Sequence, residues 1–170
     1  MESYRRAELL PPGDKVPQLE AVLAGVKEQA LICAHSHIPW VQSGGGRLVV
    51  NTGAVSSPNN GDVAAQYALL EWREGGWVAA LRSVPYDLEM ARAAFLDSGF
   101  LAAGGVMAGA FLLGIFTAQN VPGRFARHVR RLELEAGSQP GNAVPDGVWQ
   151  RAIATFEWGG YARHAFLLIE

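Results

Sequence analysis

Two histidines, His35 and His37, stand one residue apart and directly follow a short apolar run. Neutral imidazole is a good ligand for Zn, Mn, Fe and Ni ions. Alternate side chains on a loop can turn toward the same point, so both imidazoles can reach one metal site. The spacing alone is weak evidence, because a purely structural pair of histidines shows the same pattern.

The loop that carries the histidines is predicted to follow a buried strand. Ala30–Cys33 is a short apolar run that predicts this strand, and residues 34–39 form the loop after it. Before the strand, apolar residues at helical spacing and a leading proline predict a helix over residues 17–29. In α/β sheets, functional groups gather at the carboxyl ends of strands, which is where this loop would lie.

Further strands are predicted on both sides of a polar loop over residues 53–62, which is dense in Ser, Pro, Asn and Gly. Two pairs of apolar runs flank glycine-containing turns and predict two β-hairpins. The four predicted strands are residues 40–43, 47–51, 67–72 and 77–83. We therefore expect residues 30–84 to form strands of one sheet in a mixed α/β fold.

The remainder of the chain is predicted to be helical. One helix starts at Asp87, and three more cover about 100–118, 122–136 and 146–158. Residues 100–118 are almost wholly apolar or small and approach the length of about 20 residues that a membrane span needs. We interpret them as a helix buried in a core or a subunit interface, not in lipid. The cluster Arg124–Arg131 is interpreted as a solvated helix face.

The composition is that of a globular protein, with 49% apolar and 18% charged residues among 170. The formal net charge of −2 gives no polycationic signature, so no nucleic-acid partner is predicted. The single cysteine, Cys33, excludes an internal disulfide. A charged N-terminus without an apolar stretch does not fit a secretory signal. These features predict a cytoplasmic protein.

Four segments, in order, resemble calcineurin-like metallophosphoesterases. Residues 31–39 resemble that family's Gly-His-Thr-His-x-Pro motif, and residues 49–58 resemble its Asn-Pro-Gly-Ser-Val segment. Residues 67–71 match the strand that follows, and residues 84–87 occur where small bacterial phosphodiesterase-like members start a C-terminal helix. The resemblance covers roughly residues 10–97 by motif order, and it is to the C-terminal half of the family's domain.

The chain also departs from the family pattern. Ala34 and Ser36 replace Gly and Thr of the first motif, and Thr52 and Ala54 replace Pro and Ser of the second. The family's Asp-x-His, Gly-Asp-x-x-Asp, Gly-Asn-His-Asp/Glu and His-Gly motifs are not found, and only Gly13-Asp14 is similar to part of one. The resemblance therefore implies a fragment, a split gene product or a degenerate homologue.

The resemblance implies a fold and a site. The fold would be half of an αββα sandwich over residues 1–97, with a helical C-terminal extension over residues 98–170. His35 would bind one divalent ion and His37 another, the metals being Mn, Fe, Zn or Ni, or absent in this chain. Asn51 would order the site, with a simple turn residue as the alternative.

The implied activity is hydrolysis of phosphomonoesters or phosphodiesters at a binuclear metal site. Two histidines cannot hold two metals, so a phosphoester substrate would be turned over only if a missing half or a partner chain completed the site. The sequence leaves open whether the chain is an enzyme. The alternative is a non-catalytic partner-binding or oligomerisation module, with homo-oligomer contacts through the helix at residues 100–118.

Overall fold

The computed structural model describes residues 23–138 and 143–159, and it combines β-strands with α-helices. The chain divides into two compact units, Met1–Tyr86 and Asp87–Glu170. The composition shift in the sequence predicts a boundary between residues 97 and 98 instead. The structure gives a reason for the difference, because Phe95 packs edge-to-face on Phe100 with ring centroids 5.3 Å apart. That contact ties the first helix to the one that follows it.

A three-stranded sheet organises the first unit. Its strands are β1 (Ala30–Cys33), β2 (Trp40–Gly44) and β3 (Arg47–Asn51), in the order β1-β3-β2. β3 is parallel to β1 and antiparallel to β2. Four of its five residues are buried, as expected for a central strand of Leu and Val with neighbours on both sides. The centre of this sheet is therefore part of the buried core of the unit.

A separate hairpin completes the first unit. β4 (Ala65–Arg73) and β5 (Gly76–Val84) pair antiparallel with each other alone. The predicted strands are confirmed, but the prediction that they share one sheet is wrong. Both edges of β3 are already occupied by β1 and β2, and neither of those strands pairs with the hairpin.

The predicted helix over residues 17–29 is not found where the structure can test it. Residues 17–22 lie outside the described part of the chain. Residues 23–29 form a turn and irregular backbone, with the Val26 N–H donating to the Leu23 carbonyl over 2.9 Å. Leu23 packs instead against Trp40 and Val49 under the three-stranded sheet. Burial of these side chains, rather than helical periodicity, explains the apolar spacing there.

The described residues of the second unit form four helices: α1 (Leu88–Asp97), α2 (Phe100–Thr117), α3 (Val121–Glu135) and α4 (Asp146–Thr155). Phe125 of α3 is fully buried at their centre. The rings of Trp149, Phe156 and Trp158 lie 6.2, 5.1 and 4.8 Å from the Phe125 ring, centroid to centroid. α4 ends at Thr155, earlier than predicted, because Phe156 adopts an extended conformation.

The apolar helix α2 is interrupted at Gly105, whose φ of 52° and ψ of −139° are not helical. Residues on either side of the break, Leu101, Ala108 and Leu112, are buried together against Phe95. By length and composition α2 would suit a membrane span, and 44% of it is buried within the protein. This is weak evidence for a membrane, because core helices of soluble proteins meet the same criterion.

Candidate functional site

The histidine loop, residues 34–39, leaves the sheet beside the end of β3. β1 and β3 are parallel, and Cys33 pairs with Asn51, the last residue of β3. The carboxyl ends of parallel strands meet at one edge of a sheet. The histidine loop and the polar loop, residues 52–64, therefore start next to each other. β2 begins at the same edge, where Trp40 pairs with Asn51.

Asn51 connects the two loops through its buried side chain. Its Nδ2 donates to Ser36 Oγ over 2.9 Å and to the Ala34 carbonyl over 3.2 Å. Its Oδ1 accepts from the Gly53 N–H over 3.0 Å. The side chain is only 1% exposed, so these bonds form away from competing water. Asn51 thus fixes the start of the histidine loop and the start of the polar loop with one amide group.

His37 is oriented by the polar loop. Its Nδ1 lies 2.8 Å from the carbonyl oxygen of Ser57. A carbonyl can only accept, so Nδ1 is the protonated nitrogen, and in the neutral ring Nε2 is left with a free lone pair. Histidine ligands of metals commonly donate their other ring N–H to a carbonyl in this way. The contact therefore leaves Nε2 as the ring nitrogen of neutral His37 that can accept a hydrogen bond or a metal ion.

The polar loop also holds the backbone of the histidine loop. The Asn59 N–H donates to the His37 carbonyl over 2.9 Å, and Asn59 Nδ2 donates to the Ser36 carbonyl over 3.1 Å. Neither Ser57 nor Asn59 was predicted from the sequence to belong to the site. Both residues lie in a run dense in Ser and Asn that follows Asn51. Nothing in that run indicates that Ser57 contacts His37, which lies twenty residues earlier in the chain.

Both histidines adopt a left-handed backbone conformation, with φ of 75° at His35 and 58° at His37. Ser57, which orients His37, has φ of 56°. Such values are uncommon for residues other than glycine and cost on the order of 1–3 kcal/mol each unless neighbouring contacts enforce them. Backbone strain concentrated in this way is characteristic of functional sites, so the conformations mark this edge of the sheet as a candidate.

Gly53 is required by the close packing behind the site. Its φ is +77°, and a Cβ there would lie within 2.4 Å of Gln66 Oε1 and 3.1 Å of the Pro39 Cβ. Gln66 is itself buried and donates through Nε2 to Asn60 Oδ1 over 2.8 Å. The glycine lets β4 approach the histidine loop and support the polar loop from below.

Metal ligands are few in this arrangement. Among residues 23–138 and 143–159 no group of three or more His, Cys, Asp or Glu side chains could hold a metal ion. Burial raises the pKa of the Cys33 thiol and so disfavours the thiolate. Asp62 and Asp87 accept backbone N–H bonds from Ala64 and from the first turn of α1. Within that part of the chain, His35 and His37 remain the candidate ligands.

Comparison with known proteins identifies no relative of this chain. No family model, no curated protein and no solved structure matches the chain. The features of this site that bear on function are therefore its own residues and the hydrogen bonds that join the two loops around Asn51.

Proposed function

We propose that the first unit provides a histidine half-site of a metal-dependent phosphoesterase centre. In this proposal His35 and His37 bind divalent metal, and Asn51 holds their loop in place. The observation that carries it is the Asn51 amide, which bonds to Ser36 and Gly53 at once. The two segments that resemble the phosphoesterase motifs are thereby joined in space, as a shared site requires. The fold would then be half of an αββα sandwich.

Two imidazole donors could serve one metal ion but not a bridged pair. Two imidazoles on one loop, one of them with Nδ1 engaged by the Ser57 carbonyl, suit a single ion such as Zn²⁺ or Ni²⁺. A binuclear centre needs bridging and terminal carboxylates as well. The described residues supply none near the loop, so those ligands would come from outside the described ranges or from another chain.

The roles of the chain's own residues follow from their bonds. The Ser57 carbonyl keeps the His37 ring in one tautomer, with Nε2 unprotonated. Asn51 and Asn59 hold the histidine loop in its left-handed conformation without contacting a ligand themselves. A divalent ion bound there would stabilise the negative charge that develops on a phosphoester during hydrolysis. Asn51 is therefore a positioning residue.

Hydrolysis is the direct test of this proposal. The purified chain is assayed with a chromogenic phosphomonoester and a phosphodiester, with and without Mn²⁺. We expect little or no turnover by the chain alone, because two imidazoles cannot supply the charge stabilisation of a binuclear centre. Addition of a chain or segment that brings carboxylate ligands should produce turnover that is lost in the double variant His35→Ala, His37→Ala. Turnover that survives the double variant would refute the proposal.

A second candidate function is a non-catalytic module that binds a partner or forms oligomers. The observation that favours it is the small number of ligands among the described residues. On α2, the predicted contact, Phe100 and Phe111 keep 47% and 43% of their surface exposed. Light scattering of the wild type and of Phe111→Ser decides this alternative. A dimer that becomes a monomer in the variant would support it, and a monomeric wild type would exclude self-association through α2.

A further inference from the structure

The second unit contains a basic cleft that the histidine site does not involve. The arginine cleft has a volume of about 450 Å³ and lies between α3 and the residues that follow α4. Its main lining residues are Arg124, Arg127, His128, Arg131, Phe156 and Glu157. Arg127, His128 and Arg131 lie three, four and seven residues after Arg124. These four residues therefore share one face of α3. Three arginines face one glutamate, so the cleft has a formal charge of +2 with His128 neutral.

Two of the arginines are not neutralised within the described chain. Neither Arg124 nor Arg127 has a carboxylate within 4.0 Å among residues 23–138 and 143–159. The Arg124 guanidinium lies over the Phe156 ring, 5.9 Å from its centroid. A guanidinium held over an aromatic ring can still donate hydrogen bonds from its N–H groups.

The third arginine is held by a chain of hydrogen bonds. The Thr155 hydroxyl donates to the Arg151 carbonyl over 2.7 Å, so its oxygen accepts from His128 Nε2, 2.8 Å away. Nδ1 of the neutral ring then accepts from Arg131 over 3.0 Å. Arg131 also pairs with Glu135 at 3.1 Å. Its guanidinium is thus anchored on one side while it still lines the cleft.

A purely structural role for the free arginines finds no support in their contacts. Cations near the C-terminal end of a helix can bond its last carbonyls and stabilise its dipole. In the described chain, neither Arg124 nor Arg127 donates to a carbonyl of α4. Arg124 and Arg127 are exposed, as predicted for a solvated helix face, and they line a cleft beside the Phe156 ring.

We propose that the arginine cleft binds a phosphate-bearing anion through Arg124 and Arg127, with Arg131 as a further donor. Guanidinium groups match phosphate oxygens in paired hydrogen bonds, and the cleft is large enough for a diphosphate or for a phosphate joined to a larger group. Glu157 opposes the ligand's charge at one side of the cleft. The phosphate can belong to a soluble ester or to a lipid headgroup, and both present the same chemistry to the arginines.

Calorimetric titration of the full chain with pyrophosphate tests the proposal. We expect Arg127→Gln and Arg124→Gln each to weaken binding by about tenfold, the effect typical of one charge-assisted hydrogen bond. Glu157→Gln should strengthen binding, because it removes the opposing carboxylate. The matched control is Arg92→Gln on α1, which removes a partly exposed arginine outside the cleft and should change the dissociation constant less than about twofold. Circular dichroism checks that each variant is folded.

Vesicle sedimentation distinguishes the two sources of phosphate. Phosphatidylcholine vesicles are compared with vesicles that also contain phosphatidic acid. Arg127-dependent binding to pyrophosphate but not to vesicles supports a soluble ligand, and Arg127-dependent binding to the phosphatidic acid vesicles supports a lipid headgroup. No binding to either probe, or equal weakening by Arg92→Gln, overturns the proposal.

Discussion

The histidine loop is held by the Asn51 side chain and the Ser57 carbonyl from later in its unit, whereas the arginines of the cleft share one face through the repeat of a single helix. Asn51 and Ser57 lie fifteen and twenty residues from the groups they bond. The arginines lie within two turns of α3 and reach the same face without help from other elements. The first site therefore depends on buried hydrogen bonds, and the second depends on helical periodicity and on one neighbouring ring.

Because of this difference, substitutions should lower the free energy of unfolding at the histidine loop and weaken ligand binding at the arginine cleft. Replacement of a residue that positions the histidine loop leaves buried polar groups without partners and should destabilise the protein. Replacement of an exposed arginine in the cleft leaves no buried group unsatisfied and should affect binding alone. Substitutions in the two regions can therefore test whether hydrogen bonds support the histidine loop and whether the arginines serve binding alone.

The largest effect is expected for Gly53→Ala. The new Cβ would lie 2.4 Å from Gln66 Oε1, and the residue would keep its φ of +77°. We expect a loss of about 3 kcal/mol in the free energy of unfolding, from steric overlap and backbone strain together. Gly61→Ala is the matched control, because Gly61 has φ of +82° in the same loop and open space around it. It should cost only about 1 kcal/mol.

Urea unfolding followed by tryptophan fluorescence measures both glycine variants. Similar losses for Gly53→Ala and Gly61→Ala would show that backbone conformation, not contact with Gln66, governs this position. In that case the close approach of β4 would not be what supports the polar loop.

A somewhat smaller effect is expected for Asn51→Ala. The variant loses bonds to Ser36, to the Ala34 carbonyl and to the Gly53 N–H, all at a side chain that is 1% exposed. We expect a loss of about 2–3 kcal/mol in the free energy of unfolding. Asn59→Ala removes one bond at the periphery of the same network and should cost about 1 kcal/mol. Equal losses would contradict the central position assigned to Asn51.

The smallest effect on stability is expected for Arg127→Gln. The side chain is exposed and has no ion-pair partner in the described chain. The free energy of unfolding should change by less than about 0.5 kcal/mol, while pyrophosphate binding weakens. Thermal unfolding with and without pyrophosphate measures both properties on one sample. A large loss of stability without ligand would show that the arginine has a structural role.

The sequence predicted most elements of the fold, because their signals are local. Alternating apolar residues and glycine turns marked the strands, and Asp87 marked the start of α1, where it caps the first turn. The break at Gly105 was missed, since an apolar and glycine-rich segment looks the same whether it is straight or interrupted. The separation into two sheets was also missed, because strand pairing depends on contacts between distant residues.

The candidate sites were predicted to different extents for the same reason. The His35–His37 pair is visible as a motif, and Asn51 was singled out with it. Their supports at Ser57 and Asn59 depend on the folding of a long loop and left no local signal. The cluster Arg124–Arg131 was visible in the sequence and was interpreted as a solvated helix face. The cleft beside it forms because α4 ends at Thr155 and Phe156 turns back toward α3, whereas periodicity predicted that this helix would continue.

The most direct test of the histidine half-site is the number of zinc ions bound by the untagged chain after equilibrium dialysis, measured by mass spectrometry. We predict about one ion per chain, as two imidazoles on one loop allow. Binding should be lost in His35→Ala with His37→Ala and retained in His128→Ala, which removes a histidine of the arginine cleft. Zinc binding that is unchanged in the double variant, or two ions retained per isolated chain, would contradict the assignment of this loop as a metal half-site.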